Sequence, residues 1–308
     1  MQIIIAGGTG FIGRALVASL SRAGHRVIVL TRQSGDVPGF GSGAKVVRWD
    51  GRTAEGWGHL ANEADAIVNL AGESIAGTGI IPARWSQARK QRILESRTNA
   101  GQAIVQAVQA SSKKPSVVVQ ASAVGYYGPC DDTAITEDHL AGSDFLANVC
   151  VQWECSTQPV ESPGVRRIIL RTGLVFSPHG GVLPRLLLPF RLFAGGPLGN
   201  GKQWYPWIHL EDTVRAIQFL IESPQARGVF NLTAPTPLTN QELSLVLGRV
   251  MKRPAFVPAP ALALRLALGE MATLVLDGQR AVPDHLSKLG FQFNFPDAEA
   301  ALRDLLRS

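Results

Sequence analysis

GGTGFIG, residues 7 to 13, stands between a short apolar run, QIIIA (2 to 6), and a stretch with helical periodicity, FIGRALVASLSRAG (11 to 24). It satisfies G-x-G-x-x-G through Gly8, Gly10 and Gly13, and G-x-x-G-x-x-G through Gly7, Gly10 and Gly13. Strand, glycine turn and helix in that order point to a dinucleotide site. The turn is tight, the backbone has to approach a pyrophosphate closely, and Gly13 lets the helix sit against the strand. The helix N-terminus then faces the phosphates with unpaired N–H groups. The end of the second strand selects the cofactor, because an acid there accepts a ribose 2′-hydroxyl while an arginine accommodates a 2′-phosphate. Here the residues are Thr31 and Arg32, with no acid before Asp36, so the expected cofactor is NADP.

Outward from the turn, β-branched runs alternate with longer helical patterns over the first two hundred residues. The predicted strands are 2–6, 26–31, 45–49, 66–71, 116–122, 166–171 and 228–233, most of them continuously apolar, as strands covered on both faces must be. The expected fold is α/β, a doubly wound Rossmann-type parallel sheet with a smaller, mostly helical C-terminal lobe. Glycine and proline crowd residues 177–206, and prolines punctuate the chain from Pro235 onward. The expected division is therefore 1–173 plus 210–234 for the nucleotide-binding domain, and 174–209 plus 235–308 for the substrate lobe.

The chain has 308 residues, 45% hydrophobic and 18% charged, enough for a sizeable core. Its net charge of +6 is scattered rather than clustered, so nucleic acid is not an expected partner; a small-molecule substrate is. Cys130, Cys150 and Cys155 are odd in number and form no C-x-x-C, which argues against a disulfide framework or a zinc site and for a reducing, cytoplasmic setting. Gln2 enters a strand directly, so no signal peptide is expected. ALALRLALGEMATLVL (261 to 276) is interrupted by Arg265, Gly269 and Glu270, which predicts a packed helix rather than a membrane span. Oligomeric state leaves no trace in the sequence.

GGTGFIG together with NLAG (69 to 72), QASAVGYYG (120 to 128) and RTGLVF (171 to 176) resembles the extended short-chain dehydrogenase/reductase superfamily. The stretch 183–212 and the tail GQRAVPDHLSKLGFQFNFPDAEAALRDLL are similar to an epimerase-like subgroup often labelled cell-division-inhibitor-like, which carries a small C-terminal domain of undefined function. The resemblance spans essentially the whole chain. It implies that Gly7, Thr9, Gly10, Phe11, Ile12 and Gly13 hold the pyrophosphate, Thr31 and Arg32 the adenosine phosphate, and Leu70, Ala71 and Gly72 the adenine-side ribose. Leu174 would meet the nicotinamide end. Arg84, Arg89, Lys90, Arg92 and Arg97 fall on one helical segment; most read as a solvated face, with Arg92 and Arg97 as candidates to reach phosphates.

In that superfamily a tyrosine exchanges the proton while a lysine four residues later lowers its pKa. DFLANVCVQWE (144 to 154) departs from the pattern: with Glu154 in register, Leu146 stands at the tyrosine and Cys150 at the lysine. Leucine has no proton to give and a neutral thiol no fixed charge. Ser122 matches the serine that hydrogen-bonds a substrate carbonyl, and Tyr127 or its neighbour Tyr126 is a candidate relocated acid. His209 reads as structural. Asp131, Asp132, Glu137 and Asp138 read as a solvated acidic loop, and no metal site is indicated. Arg191, inside the apolar LLLPFRLFAGG, is the candidate for an anionic substrate group, because a buried guanidinium needs a partner. Trp204, Tyr205 and Trp207 either line the same cleft or pack the lobe interface. Two functions remain open: an NADP(H)-dependent oxidoreductase or epimerase-like enzyme on a small carbonyl or sugar-type substrate, and a non-catalytic NADP(H)-binding sensor that has lost the Tyr-x-x-x-Lys pair.

Overall fold

The structure is a computed structural model describing residues 1–33, 40, 43–77 and 84–307; Asp36 lies outside the described residues. Its centre is a seven-stranded, all-parallel sheet: β1 (Gln2–Ala6), β2 (Arg26–Thr31), β3 (Ala44–Arg48), β4 (Ala66–Asn69), β5 (Val117–Ala123), β6 (Arg166–Thr172) and β7 (Gly228–Leu232). The strand order is β7-β6-β5-β4-β1-β2-β3. All seven runs expected from the sequence are strands, with ends shifted by at most two residues.

The period of two along each strand sorts its side chains into two cores. Ile3, Ile5, Val27, Val29, Val117 and Val119 face one way, toward α1 (Phe11–Arg22) and, through Val214, Ile217 and Ile221, toward α5 (Leu210–Glu222). Ile4, Ala6, Ile28, Leu30, Ile67 and Val118 face the other way, toward α2 (Gln87–Ala110). Helices on both faces are what a parallel sheet requires, because every crossover has to pass over it. The chain runs from β1 outward through β2 and β3, then returns to the far side of β1 with β4. The crevice above β1 and β4 is thus the switch point at which open sheets place their ligands.

A third core joins Phe176, Leu183, Leu187, Phe190 and Trp207 to Leu243, Leu247, Ala301 and Leu302. Its helices include α4 (Leu183–Arg191) and α6 (Asn240–Met251), the latter closed by a reciprocal Thr239–Glu242 capping box. The tail does not stay in this lobe: Leu286 and Phe291 pack back into the sheet's first core, and Arg280–Ala281 pairs with Ala134–Ile135.

The stretch 261–276 departs from expectation. It forms α7 (Ala261–Leu268), a turn at Gly269 and two short further turns, and α7 buries none of its residues: Leu262 and Leu266 are 71% and 69% exposed. Gly269, at φ +61°, ends the helix after two turns, too short for its apolar residues to reach a core. Among the described residues no helix is long and apolar enough to cross a membrane.

His209 is structural in this geometry. Its Nδ1 accepts the Glu211 N–H at 3.0 Å as the cap of α5, and its ring stacks on Phe295 with centroids 3.9 Å apart. Burial pushes its pKa below the ordinary imidazole value, against the opposing charges of Asp304, Asp212 and Glu211. The unfolded chain therefore binds this proton more readily, so the stability contributed by His209 is present above about pH 6.5 and is lost as pH falls through the lower folded pKa. His209→Asn keeps a capping acceptor but cannot titrate. Thermal unfolding from pH 7 to pH 5 should decline more steeply in the native chain than in this variant, and parallel declines would contradict it.

Candidate active site

The turn after β1 has the close approaches that only glycine allows. Gly7 sits at φ +79°, and a Cβ there would lie 2.7 Å from the Leu70 carbonyl carbon; one on Gly13 would lie 2.3 Å from the Gly7 oxygen. The Gly10 N–H donates to Gly7 O at 2.9 Å, and Gly10 begins α1 with no side-chain cap. The first-turn N–H groups are thus left for an external acceptor. Phe11 wedges its ring against Gly180, where a Cβ would be 2.7 Å from the ring, and so ties the start of α1 to the segment after β6.

A cavity of about 340 Å³ opens above this turn. Gly7, Thr9, Gly10, Thr31, Arg32, Leu70, Ala71, Gly72 and Arg92 line it, which brings together most of the residues expected to hold a dinucleotide; Phe11, Ile12 and Gly13 form the adjoining first turn of α1. Arg52 also lines it and escaped the sequence reading. The available signal was WDGRT (49 to 53), where Asp50 accepts the Arg52 and Thr53 N–H groups and folds a tight turn after β3. Arg92 lies 3.7 Å from Glu73, and both are cavity residues. Arg84, just ahead of α2, and Lys90 within it are not simply solvated. Arg84 donates to the Leu266 and Ala267 carbonyls, Lys90 pairs with Glu270, and both fasten α2 to the C-terminal lobe.

A second cavity, of about 230 Å³ and largely apolar, lies beyond Gly72. Leu146, Val149, Cys150 and Trp153 of α3 (Phe145–Cys155) form one wall, Leu174 another, and Trp204 and Tyr205 a third. Leu146 and Cys150 thus face the cleft from the positions assigned to the proton donor and its lysine. Burial, reinforced by the Glu154 charge, pushes the Cys150 thiol up to about 11, so it is neither an acid nor a fixed cation at neutral pH. Trp207 is fully buried, stacked on Phe176, and belongs to the lobe's core.

Neither candidate catalytic hydroxyl borders the cleft. Ser122 is 4% exposed and donates its proton to Glu154 Oε1 at 2.6 Å. The cleft residue is Ala123, which by strand alternation points the other way. Tyr127 is 2% exposed; its hydroxyl donates to Asn231 Oδ1 at 2.7 Å and accepts from Arg171 Nη1 at 3.1 Å. Burial outweighs the neighbouring Arg171 and pushes its pKa up to about 12. Both hydroxyls belong to a network centred on the Glu154–Arg171 ion pair, in which Arg171 Nε and Nη2 reach the carboxylate at 3.0 and 3.1 Å. Tyr126 contributes its ring, 3.4 Å from the Arg171 guanidinium.

Strand register builds this network. Ser122 pairs with Arg171 and Arg171 with Asn231, so three adjacent strands present one polar row to α3. Glu137, expected in a solvated loop, is buried and accepts the Asn231 and His285 N–H groups; burial outweighs these bonds and pushes its pKa up. Arg191 is corrected as well. It is exposed at the end of α4, whose buried side carries Leu183, Leu187 and Phe190, and it borders neither cavity. The buried guanidinium anticipated there belongs to Arg97, which is 9% exposed and lines the second cavity.

With this geometry in place, comparison with known proteins is direct. The model described as "NAD dependent epimerase/dehydratase family" matches residues 3–233, and one described as a domain of unknown function (DUF1731) matches residues 259–305. Epimerase family protein SSP1921 of Staphylococcus saprophyticus is 40% identical over 304 residues, 98% of either chain. The crystal structure of human epimerase family protein SDR39U1 (isoform 2) with NADPH superposes with a TM-score of 0.87 at 33% identity, covering 99% of both chains. UDP-glucuronic acid 4-epimerase from Bacillus cereus, solved with UDP-glucuronic acid and NAD, shares the fold at a TM-score of 0.75 and 18% identity, covering 99% of this chain and 98% of that one. The family model covers well over half of the chain, and the identity extends over its full length: the chain belongs to the NAD dependent epimerase/dehydratase family.

Proposed function

We propose that this chain is an NADP(H)-dependent, epimerase-like oxidoreductase acting on a small carbonyl or sugar-type substrate. The observation that carries the reading is the meeting of the two cavities: Gly72 lines the first, Arg97 the second, and a Cβ on Gly72 would lie 3.1 Å from the Arg97 guanidinium carbon. A polar cavity shaped by glycines thus adjoins an apolar one. In this reading Gly7, Gly10, Gly13 and the first turn of α1 hold the pyrophosphate. Thr31, Arg32 and Arg52 take the adenosine 2′-phosphate, Leu70 to Gly72 follow the ribose, and Leu174 borders the nicotinamide. When bound, the nicotinamide supplies or takes up a hydride. Leu146, Val149, Trp153 and Leu174 exclude water around the substrate, and the Ser122–Glu154–Arg171–Tyr127 network keeps α3 seated on β5 and β6. We place the division between cofactor and substrate lobes after residues 173, 209 and 234, with 284–291 crossing back.

The phosphate preference is supported by three arginines lining one cavity and by the NADPH-bound human relative. Arg32→Ala should weaken NADPH by roughly tenfold or more while changing NADH by less than about twofold, as expected for losing one charge-assisted phosphate contact. Fluorescence titration of both cofactors measures it; equal losses would sink the phosphate assignment. The second reading, an NADP(H)-binding sensor, is favoured by one specific observation, that Ser122 and Tyr127 spend their hydroxyls inside the buried network. Oxidation of bound NADPH on addition of carbonyl compounds or nucleotide sugars decides for the enzyme. Tight binding without consumption across the panel decides for the sensor.

A further inference from the structure

We propose that Arg97 anchors an anion subsite in the apolar cleft and takes the carboxylate of a small, otherwise apolar substrate. The inference deepens the reading of that cleft as the substrate site and rests on it. Arg97 projects from the middle of α2 and is nine-tenths buried, yet none of the described carboxylates forms an ion pair with it. Glu73, the nearest acid to act on it, has its carboxylate toward Arg92. Only Nη1 is engaged, donating to the backbone carbonyls of Ile93 at 2.9 Å and Glu73 at 3.0 Å. Among the described residues Nε and Nη2 meet no acceptor, and neither is sealed from solvent.

The surroundings hold the group in place without neutralising it. Its guanidinium carbon stacks 4.8 Å from the centre of the Trp153 ring, and its other side rests against Gly72, where a Cβ would intrude. Burial lowers its pKa to about 10, so it stays charged at neutral pH. Trp153 Nε1 is itself buried and, among the described residues, meets no acceptor. An uncompensated buried cation is costly, and a planar fork with two free donors matches a carboxylate in a bidentate arrangement. Ile75, Leu146, Val149 and Leu174 give the cleft apolar walls; of the two acids that also border it, Asp144 accepts the Ala147 N–H as the cap of α3 and Asp277 accepts from Thr273 Oγ1. Cofactor phosphates have their own donors across Gly72, in the glycine turn and the arginines of the first cavity, which is why the ligand assigned here is the substrate's anion.

The test is calorimetry on the full-length chain saturated with NADPH, titrated with 3-phenylpropanoate, its 2-oxo derivative and the neutral 3-phenylpropanamide. The carboxylates should bind at least about tenfold more tightly than the amide, as expected for a charge-assisted pair. Arg97→Gln should erase that preference and leave NADPH affinity within about twofold, a factor too small to represent a lost phosphate contact. Arg97→Lys, which keeps the charge, should retain part of the preference and decides the matter if the glutamine variant does not fold. No carboxylate preference in the native chain overturns the proposal. So does a loss of about tenfold in NADPH affinity on Arg97→Gln, which would give Arg97 to the cofactor. A native chain that binds no NADPH refutes the cofactor reading separately, and the same carboxylate titration without cofactor then decides the subsite.

Discussion

Glu154→Gln is expected to destabilise the fold by about 3–5 kcal/mol, the cost of leaving one partner of a buried ion pair uncompensated. Glu154 and Arg171 are both buried, and the carboxylate receives Ser122 Oγ, Arg171 Nε and Arg171 Nη2 at 2.6, 3.0 and 3.1 Å. Burial opposes the charge on Arg171, but the Glu154 pair overrides it and holds the guanidinium proton more tightly than usual. A neutral glutamine presents an NH₂ where a second acceptor oxygen was needed, so Arg171 loses the charge that compensated it. Tyr127, Asn231 and Glu137 are then disturbed through the same guanidinium. Urea unfolding followed by circular dichroism measures the loss. The double variant Glu154→Leu, Arg171→Met should recover most of it, because an apolar pair of similar volume removes the charge problem altogether. A Glu154→Gln chain within about 1 kcal/mol of the native one would show that the pair is not what seats α3.

Gly13→Ala carries the second large effect, and here function fails before stability. The added methyl would sit 2.3 Å from Gly7 O and 2.7 Å from Gly8 Cα, backbone on both sides, with no flexible side chain able to give way. Either the start of α1 lifts from β1 or the turn at Gly7 opens, and both displace the N–H groups to which the proposed function gives the pyrophosphate. The stability cost should be about 1–3 kcal/mol, as for other overpacked sites. NADPH affinity should fall by roughly two orders of magnitude, since two or more charge-assisted contacts of the turn are lost together. Gly24→Ala is the control. It is strained at φ +81° but has open space around it, so it should cost about 1 kcal/mol and leave NADPH binding unchanged. Equal affinity in the Gly13→Ala and native chains would refute the role given to the turn.

Much of the first cavity was legible because it is made of backbone. A glycine turn between a strand and a helix has few alternative geometries, so Gly7, Gly10 and Gly13 read directly, and the acid-or-arginine choice after β2 is a local one. Arg52 was missed because its place in the cavity depends on β3 lying beside β2, a pairing over which the local sequence is silent. The surroundings of the two catalytic candidates were hidden for a related reason. Whether Ser122 faces the cleft or α3 depends on strand alternation by a single residue, and whether Tyr127 is an acid or a structural hydroxyl depends on what lies across two strands. Arg191 and Arg97 exchanged roles because an apolar neighbourhood in sequence is not burial: α4 turns Arg191 outward, while the middle of α2 carries Arg97 into the cleft.

By itself the sequence determined the parallel α/β architecture, the seven strands and the glycine turn, because periodicity, apolar runs and glycine spacing act over a few residues and leave little for distant contacts to change. Only the tertiary structure decided which polar groups stand free and which are spent. Ser122, Tyr127, Glu154 and Arg171 are separated by up to 49 positions in the chain and meet through strand register. A hydrogen bond or a desolvated charge depends on distances of a few tenths of an ångström between such remote residues. The partly engaged guanidinium of Arg97 and the closed network around Arg171 therefore became distinguishable only once the sheet had been assembled.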